Sequence, residues 1–239
     1  MPDSRMWRSL SQPNQRLTLL YLLLLLADSA GPPMGLPWLH TFCKPLLMPC
    51  LLLILWREQT VRQLPLAGWW VAGLLLSCWG DTALLWGDDP LWFMLGLGGF
   101  LLAHVSYIVG MARLYRQVQP GAPRPPLLAF LGVGAYATGM LAVLWPHLGS
   151  LLPPVVVYTA AISLMLITAM ALAARLRKPA GAWLLWGAAL FVASDSVLAL
   201  NKFAVPFDGA GLLIMATYGA AQWLLVQAVV RIAADKATS

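Results

Sequence analysis

Two aspartates lie within long apolar stretches of the chain, where carboxyl groups are uncommon. Asp81 follows Leu-Leu-Leu-Ser-Cys-Trp-Gly, and Asp195 follows Leu-Phe-Val-Ala-Ser. In a site of low dielectric, one carboxylic acid can stay protonated while a second is ionised. The pair could therefore supply a general acid and a general base to one buried site.

Several other polar side chains interrupt the same apolar stretches: Lys44, His104, Tyr107, Tyr218 and Gln222. Polar groups inside a membrane are expensive and usually face the interior of a helix bundle. A helical rise of about 1.5 Å per residue places four groups about 9–14 Å below the outer ends of their helices: Lys44, Asp81, Asp195 and Tyr218. We therefore expect these four to share a cavity that opens to the outer side. A structural alternative is that Asp81 is a core carboxylate paired with Lys44.

Other common catalytic arrangements are not indicated by the sequence. The serines near the aspartates lack the Gly-x-Ser-x-Gly context of a hydrolase nucleophile. The three histidines are distant from one another in sequence and predicted depth, so we expect no metal site. No cofactor is implied either.

The composition predicts an all-α, polytopic membrane protein. Hydrophobic residues make up 60% of the 239, charged residues only 10%, and the mean hydropathy is +0.76. A soluble domain has about 25% charged residues, so too few remain here for a water-facing surface. Stretches of about 20 apolar residues are typical of membrane-spanning helices. We predict about eight of them, at residues 17–31, 36–56, 64–87, 90–113, 126–146, 150–174, 182–203 and 209–231.

The basic residues predict that both termini are cytoplasmic. With eight spans and an inside start, 13 of the 15 Lys and Arg residues fall on the inner side, as the positive-inside rule requires. We predict one transmembrane domain, 17–233, with short cytoplasmic tails at 1–16 and 234–239. The short clusters fit membrane topology rather than a nucleic-acid surface. The first span could alternatively be a signal peptide cleaved after Ser29.

An internal repeat relates the third and seventh predicted spans. Gly73 and Asp81 match Gly187 and Asp195 in spacing, with leucines and a hydroxyl residue at shared positions. The same register pairs His104 with Tyr218, each 23 residues after its aspartate. A parallel duplication of four helices plus four would explain this pattern.

Five motifs, in this order and spacing, resemble the YhhN/TMEM86 family over residues 37–232. They are Phe42-Cys-Lys44-Pro45-Leu-Leu-Met, Gly80-Asp81-Thr-Ala-Leu-Leu, Phe100-Leu-Leu-Ala-His104-Val-Ser-Tyr107, Gly187-Ala-Ala-Leu-Phe191-Val-Ala-Ser194-Asp195-Ser196, and Tyr218-Gly-Ala-Ala-Gln222.

The resemblance implies a lysoplasmalogenase, an ether hydrolase that converts a lysoplasmalogen into a fatty aldehyde and a glycerophospho head group. Asp81 and Asp195 would then be its catalytic carboxylates. The implied substrate-binding residues are Lys44, His104, Tyr107, Ser194, Asn201, Tyr218 and Gln222. The expected partners are a lysophospholipid, the bilayer of a bacterial inner membrane and, in a homo-oligomer, further copies of the chain.

Protonation of the vinyl ether at its β-carbon gives an oxocarbenium ion, which water converts to a hemiacetal that collapses to aldehyde and alcohol. A neutral aspartic acid fits the first step and an ionised one the second. We lean to Asp195 as the acid and Asp81 as the base. A small proton-coupled transporter of lipids or solutes could use the same carboxylates, and a purely structural membrane partner is the third hypothesis.

Overall fold

A computed structural model describes residues 12–64, 67–118 and 127–237. Within these ranges the chain forms helices and turns, without strands. Eight helices are long and one is a single turn: α1 (Gln12–Ala30), α2 (Pro37–Arg57), short α3 (Gln59–Arg62), α4 (Ala67–Leu84), α5 (Pro90–Gln117), α6 (Leu127–Leu148), α7 (Leu152–Ala173), α8 (Ala180–Ala199) and α9 (Ala210–Ala237). Residues 1–11 of the predicted N-terminal tail, residues 65–66 in the third predicted span, residues 119–126 and residues 238–239 of the predicted C-terminal tail lie outside the described ranges.

Five helical stretches of the described chain are long and apolar enough to cross a membrane: Pro37–Arg57, Pro90–Gln117, Leu127–Ala173, Ala180–Ala204 and Ala210–Ala237. The third contains both α6 and α7, which pack against each other. The remaining long helices, α1 and α4, pack within the same bundle. The fold prediction of an all-α polytopic membrane protein is confirmed.

The helix boundaries differ from the predicted ones at water-facing ends. The third span was expected over 64–87, but α4 ends at Leu84 and turns follow it. Helix α9 continues to Ala237, through most of the predicted C-terminal tail. Lys236 on this extension donates to Gln117 Oε1 at 3.1 Å. Hydropathy could not show this, because a helix stabilised by polar contacts can continue beyond the bilayer.

Local chemistry explains the ends of two site-bearing helices. Asp89 caps α5 by accepting hydrogen bonds from the backbone nitrogens of Leu91 at 2.8 Å and Trp92 at 3.3 Å, and Pro90 suits the first helical position. Helix α8 ends in a π turn, Leu200–Ala204. Lys202 in this turn donates to the carbonyl of Gly87 at 2.9 Å, which joins the α4–α5 and α8–α9 connections. We call this end of the bundle, where α1 also joins α2 and α6 joins α7, the upper end.

The core excludes most of α6. Buried side chains from α1, α2, α4, α5, α7, α8 and α9 form one apolar cluster. Helix α6 contributes only Leu144 and Leu148, both near its upper end, to a smaller cluster with α7. It packs against α7 and the π turn, and most of its lower part is exposed.

The structure agrees with the four-plus-four repeat. Asp81 and Asp195 are 114 positions apart (195 minus 81), and the same offset relates Gly35 to Gly149. Both glycines have positive φ, at 76° and 49°, in the connections before α2 and α7. The corresponding helix pairs α4–α5 and α8–α9 are both closely packed. The offset also pairs Lys44 with a residue that the motifs did not include, Tyr158.

Candidate active site

Asp81 lies on α4 in the centre of the bundle, and its side chain is hydrogen-bonded across to α9. The residue is 1% exposed, and the Tyr218 hydroxyl donates to its Oδ2 at 2.7 Å. Lys44 on α2 is also buried and interacts electrostatically with this carboxyl group. Lys44 therefore does not reach out to the membrane surface, and it supplies a positive charge beside Asp81.

A chain of hydrogen bonds continues from Tyr218 through the interior. Gln222, one turn further along α9, donates to the Tyr218 oxygen at 3.4 Å and to Ser77 Oγ at 2.9 Å. Its Oε1 accepts a hydrogen bond from Tyr107 on α5 at 2.8 Å. Close packing at Gly73 fixes the Tyr107 ring, because a Cβ there would lie 2.4 Å from Tyr107 Cε1. The Asp81 network is thus buried and densely packed.

Asp195 on α8 has a different set of partners, drawn from α5 and α7. Tyr158 donates to its Oδ2 at 2.5 Å, and His104 Nε2 lies 3.8 Å from the same oxygen. His104 is fully buried, and neither ring nitrogen has a hydrogen-bond partner within the described residues. The Asp195 side chain is 13% exposed, so it is the more accessible of the two aspartates.

An aromatic layer lies between the two carboxyl groups. The Phe191 ring contacts His104 on one side and Tyr218 on the other, with centroid distances of 4.7 and 5.5 Å. Phe100 packs edge-on against both Phe191 and Tyr218. The carboxyl groups of Asp81 and Asp195 are nevertheless close enough to interact electrostatically.

One side of Asp195 lines a cleft of about 840 Å³, a volume that includes its open mouth. The cleft lies between α6 and the core helices α5, α7 and α8, with Tyr158 and Phe100 in its wall. Tyr136 on α6 reaches across and donates to Ser196 Oγ at 2.7 Å. The accessible part of the site is therefore an apolar cleft with one carboxyl group in its wall.

The expected cavity shared by four polar groups is not what the structure shows. Asp195 lines the cleft, whereas Lys44, Asp81 and Tyr218 lie outside its lining. The rise per residue gives the depth of a residue along its helix. It does not give the rotation of the helix, which decides where each side chain faces.

The other predicted site residues are divided between these environments. His104 and Tyr107, three positions apart, serve different aspartates: the former lies beside Asp195 and the latter joins the Asp81 network. Ser194 donates to the carbonyl of Ile214 at 3.0 Å, and Asn201 Oδ1 accepts from the Phe207 nitrogen at 3.1 Å. Their observed contacts hold α8 and the following loop in place, and their predicted role in substrate binding stays a prediction.

Tyr158 is the most informative residue that the sequence interpretation missed. It lies in the sixth predicted span, which contains none of the five motifs. The repeat offset that pairs the aspartates also pairs Tyr158 with Lys44, and this signal could have found it. Ser77 was also missed, although its hydroxyl belongs to the Asp81 network.

A third carboxyl group is also buried. Asp28 lies at the end of α1, where it is fully buried. Its Oδ1 lies 2.9 Å from His40 Nδ1 at the start of α2. The turn between α1 and α2 folds the two residues against each other, which a span prediction could not show. Within the described residues, no group of three or more potential ligands could hold a metal ion.

Known proteins are similar to this chain in sequence. The sequence model of the YhhN family matches residues 39–229. A lysoplasmalogenase of Mycobacterium tuberculosis is 38% identical over 162 residues, which cover 66% of this chain and 58% of that protein. Human lysoplasmalogenase TMEM86B is 33% identical over 203 residues, covering 84% of this chain and 79% of the relative.

Human lysoplasmalogenase TMEM86A is 34% identical over 228 residues, covering 91% of this chain and 87% of the relative. The match to the mycobacterial relatives spans less than two thirds of their length. No solved structure matches the chain.

Proposed function

The chain belongs to the YhhN family, as its motifs predicted, and we propose that it is a membrane hydrolase that cleaves the vinyl ether bond of lysoplasmalogens. Relatives from a mycobacterium and from humans are named lysoplasmalogenases. The observation that carries the proposal is the Asp195 carboxyl group in the wall of an apolar cleft. The transporter alternative gains no support from these relatives.

Asp195 is the proton donor in this proposal. A lipid whose vinyl ether lies in the cleft would place its β-carbon against Asp195, which transfers its proton to that carbon. This step leaves an oxocarbenium ion, whose positive charge is shared between the α-carbon and the ether oxygen. The Tyr158 hydroxyl on α7 donates to the carboxyl group, and the buried His104 ring lies beside it, so the donor is oriented before the substrate arrives.

The second step returns the proton. Water adds to the oxocarbenium carbon, and the Asp195 carboxylate accepts a proton from that water as the new C–O bond forms. The hemiacetal then collapses: its hydroxyl proton is lost, the carbon–oxygen bond to glycerol breaks, and the glycerol oxygen is protonated. The products are a fatty aldehyde and a glycerophospholipid head group, and the acid form of Asp195 is restored.

Asp81 contributes a negative charge behind the aromatic layer. Lys44 beside it supplies the counter-charge that an ionised carboxylate needs in an apolar interior. A fixed carboxylate near the developing oxocarbenium ion stabilises the transition state, and such electrostatic effects are strong where water is excluded. This proposal assigns both the acid and the base step to Asp195 and the fixed charge to Asp81, in place of the sequence expectation that Asp81 is the base.

The cellular setting follows from the predicted topology. The positive-inside distribution of Lys and Arg supports cytoplasmic termini in a bacterial inner membrane. A single-chain lysophospholipid in that bilayer would be the substrate.

The decisive experiment uses the purified chain in lipid vesicles. We expect fatty aldehyde from a lysoplasmalogen and none from a saturated lysophospholipid with the same head group. Asp195→Asn is the matched inactive variant. Equal product from both lipids, or aldehyde release that survives Asp195→Asn unchanged, would overturn the proposal.

A further inference from the structure

We infer that the cleft beside Asp195 is a binding site for the hydrocarbon chain of a single-chain lipid, entered sideways from the bilayer, with the head group at the upper end and the chain running toward the lower end. The inference rests on the proposed function, because Asp195 marks where the reacting bond would lie. It adds the path of entry, the orientation of the lipid and the residues that select chain length.

The way that α6 is attached provides the entry path. This helix packs on α7 and on the π turn near its upper end. Tyr136, which is 48% exposed, bridges it to α8 through Ser196. The lower faces of α6 are otherwise exposed, and α6 belongs to a helical stretch that is long and apolar enough to cross a membrane. A lipid can therefore reach the cleft without leaving the membrane.

The lining of the cleft fits a chain with one polar point. The polar groups lie together beside Asp195 and include Tyr136, Tyr158 and Ser196. The walls above and below them are mainly apolar, and the lower walls include Val133, Ile162 and Leu166. These lower walls suit a hydrocarbon chain that begins at an ether oxygen beside Asp195.

The charge at the upper mouth of the cleft sets the orientation. Asp195 lies partway along the lining, with apolar residues above it, such as Leu144 and Phe203, and below it, such as Ile162 and Leu166. At the upper mouth, the Lys202 ammonium lies 5.1 Å from the ring centre of Phe93, a lining residue. A cation at this position can meet the phosphate of a head group.

The first test maps the bound chain without any hydrolysis. The probe is a saturated alkyl-ether lysophosphatidylethanolamine with a diazirine on the last carbon of its chain, added to the full chain in vesicles and photolysed. We expect labelled peptides to contain Val133 and Leu166. Labels concentrated at Leu144 and Phe203 would show the opposite orientation and overturn the proposed one. Labels spread over lipid-facing residues such as Leu131 would overturn the binding site itself.

The second test measures chain-length selection. Ser163 lines the cleft below Tyr158, whereas its neighbour Leu164 faces away and is exposed. Ser163→Phe fills the lower cleft, and we expect it to reduce kcat/KM for long-chain substrates about tenfold relative to short-chain ones. Leu164→Phe is the matched control and should keep the wild-type ratio.

The two tests separate this inference from the proposed function. If wild-type protein releases no aldehyde but the probe labels the lower cleft, the proposed reaction fails and the lipid site stands. If aldehyde is released but Ser163→Phe and Leu164→Phe have the same chain-length ratio as wild type, the chain site is overturned. Misfolding of Ser163→Phe does not affect the labelling experiment, which uses the wild-type chain.

Discussion

The two aspartates occupy equivalent positions in the two halves of the chain, but the halves surround them differently. Asp81 is closed in by Tyr218, by a hydrogen-bond network and by the nearby ammonium of Lys44. Asp195 has Tyr158 at the position equivalent to Lys44, and it opens onto a cleft. One repeated framework therefore holds one carboxyl group beside a charge and the other beside a neutral phenol.

The first helix of each half explains why only one side is open. Tyr21 on α1 is fully buried, and its hydroxyl donates to the carbonyl of Gly219 on α9 at 2.8 Å. Tyr136 on α6 is half exposed and reaches only Ser196 at the edge of the cleft. Close packing of α1 seals the Asp81 half, whereas the looser attachment of α6 leaves Asp195 accessible. The different roles of the two similar halves therefore follow from how tightly the first helix of each half packs.

The largest effect should come from removing the carboxyl group in the cleft. Asp195→Asn cannot donate the proton to the vinyl ether, and we expect kcat for aldehyde release to fall about 10³-fold. The control is Asp208→Asn, at an exposed position in the α8–α9 connection, which should keep wild-type activity. A folded Asp195→Asn protein with wild-type kcat would show that this aspartate is not the acid.

A smaller effect is expected at the closed aspartate. Asp81→Asn removes the charge behind the aromatic layer, and we expect kcat to fall about 10²-fold. KM should change little, because Asp81 does not line the cleft. Steady-state kinetics with a lysoplasmalogen measures both values. If Asp81→Asn lowers thermal stability but leaves kcat unchanged, the structural interpretation of Asp81 is the correct one.

The two tyrosines that donate hydrogen bonds to the aspartates should differ as the aspartates do. We expect the larger loss of kcat for the tyrosine beside Asp195. Tyr158→Phe removes the hydroxyl that orients the proposed acid, so we expect kcat to fall about tenfold. Tyr218→Phe leaves the buried Asp81 oxygen without its donor, and we expect mainly a loss of stability, of about 1–3 kcal/mol. Kinetics and thermal unfolding in detergent measure the two effects. Equal losses of kcat in both variants would mean that the two halves contribute alike.

The sequence predicted the parts of the site that follow from chain order and composition. Apolar stretches placed the spans, and polar interruptions identified Asp81, Asp195, His104 and Gln222 as internal. All four are buried or partly buried in the bundle. The cost of polar groups in a membrane is large enough to make such interruptions informative.

What the sequence did not predict depends on rotation and packing between helices. Depth along a helix can be counted, but small differences in rotation put His104 beside Asp195 and Tyr107 in the Asp81 network. The cleft exists because α6 packs loosely, which its mainly apolar sequence does not indicate. Tyr158 was missed because a tyrosine in an apolar stretch is as typical of a packed core as of a site.

The smallest expected effect compares two glycines at equivalent positions, Gly73 and Gly187. A Cβ at Gly73 would lie 2.4 Å from the Tyr107 ring, which is held by its hydrogen bond to Gln222. A Cβ at Gly187 would lie 3.0 Å from Leu225 Cγ and 3.1 Å from the backbone oxygen of Ala221, which is a smaller overlap. We therefore expect Gly73→Ala to lower the free energy of unfolding by about 1–3 kcal/mol and Gly187→Ala by less.

Thermal unfolding of the two glycine variants in the same detergent measures this difference. Because Gly73→Ala displaces Tyr107 and with it the Asp81 network, its kcat should also fall, whereas Gly187→Ala should retain activity. Equal destabilisation by the two substitutions would contradict the idea that the Asp81 half is the more tightly packed one. A loss of activity in Gly187→Ala alone would instead place the packing-sensitive step in the open half, since α8 carries Asp195 two turns away on the same helix.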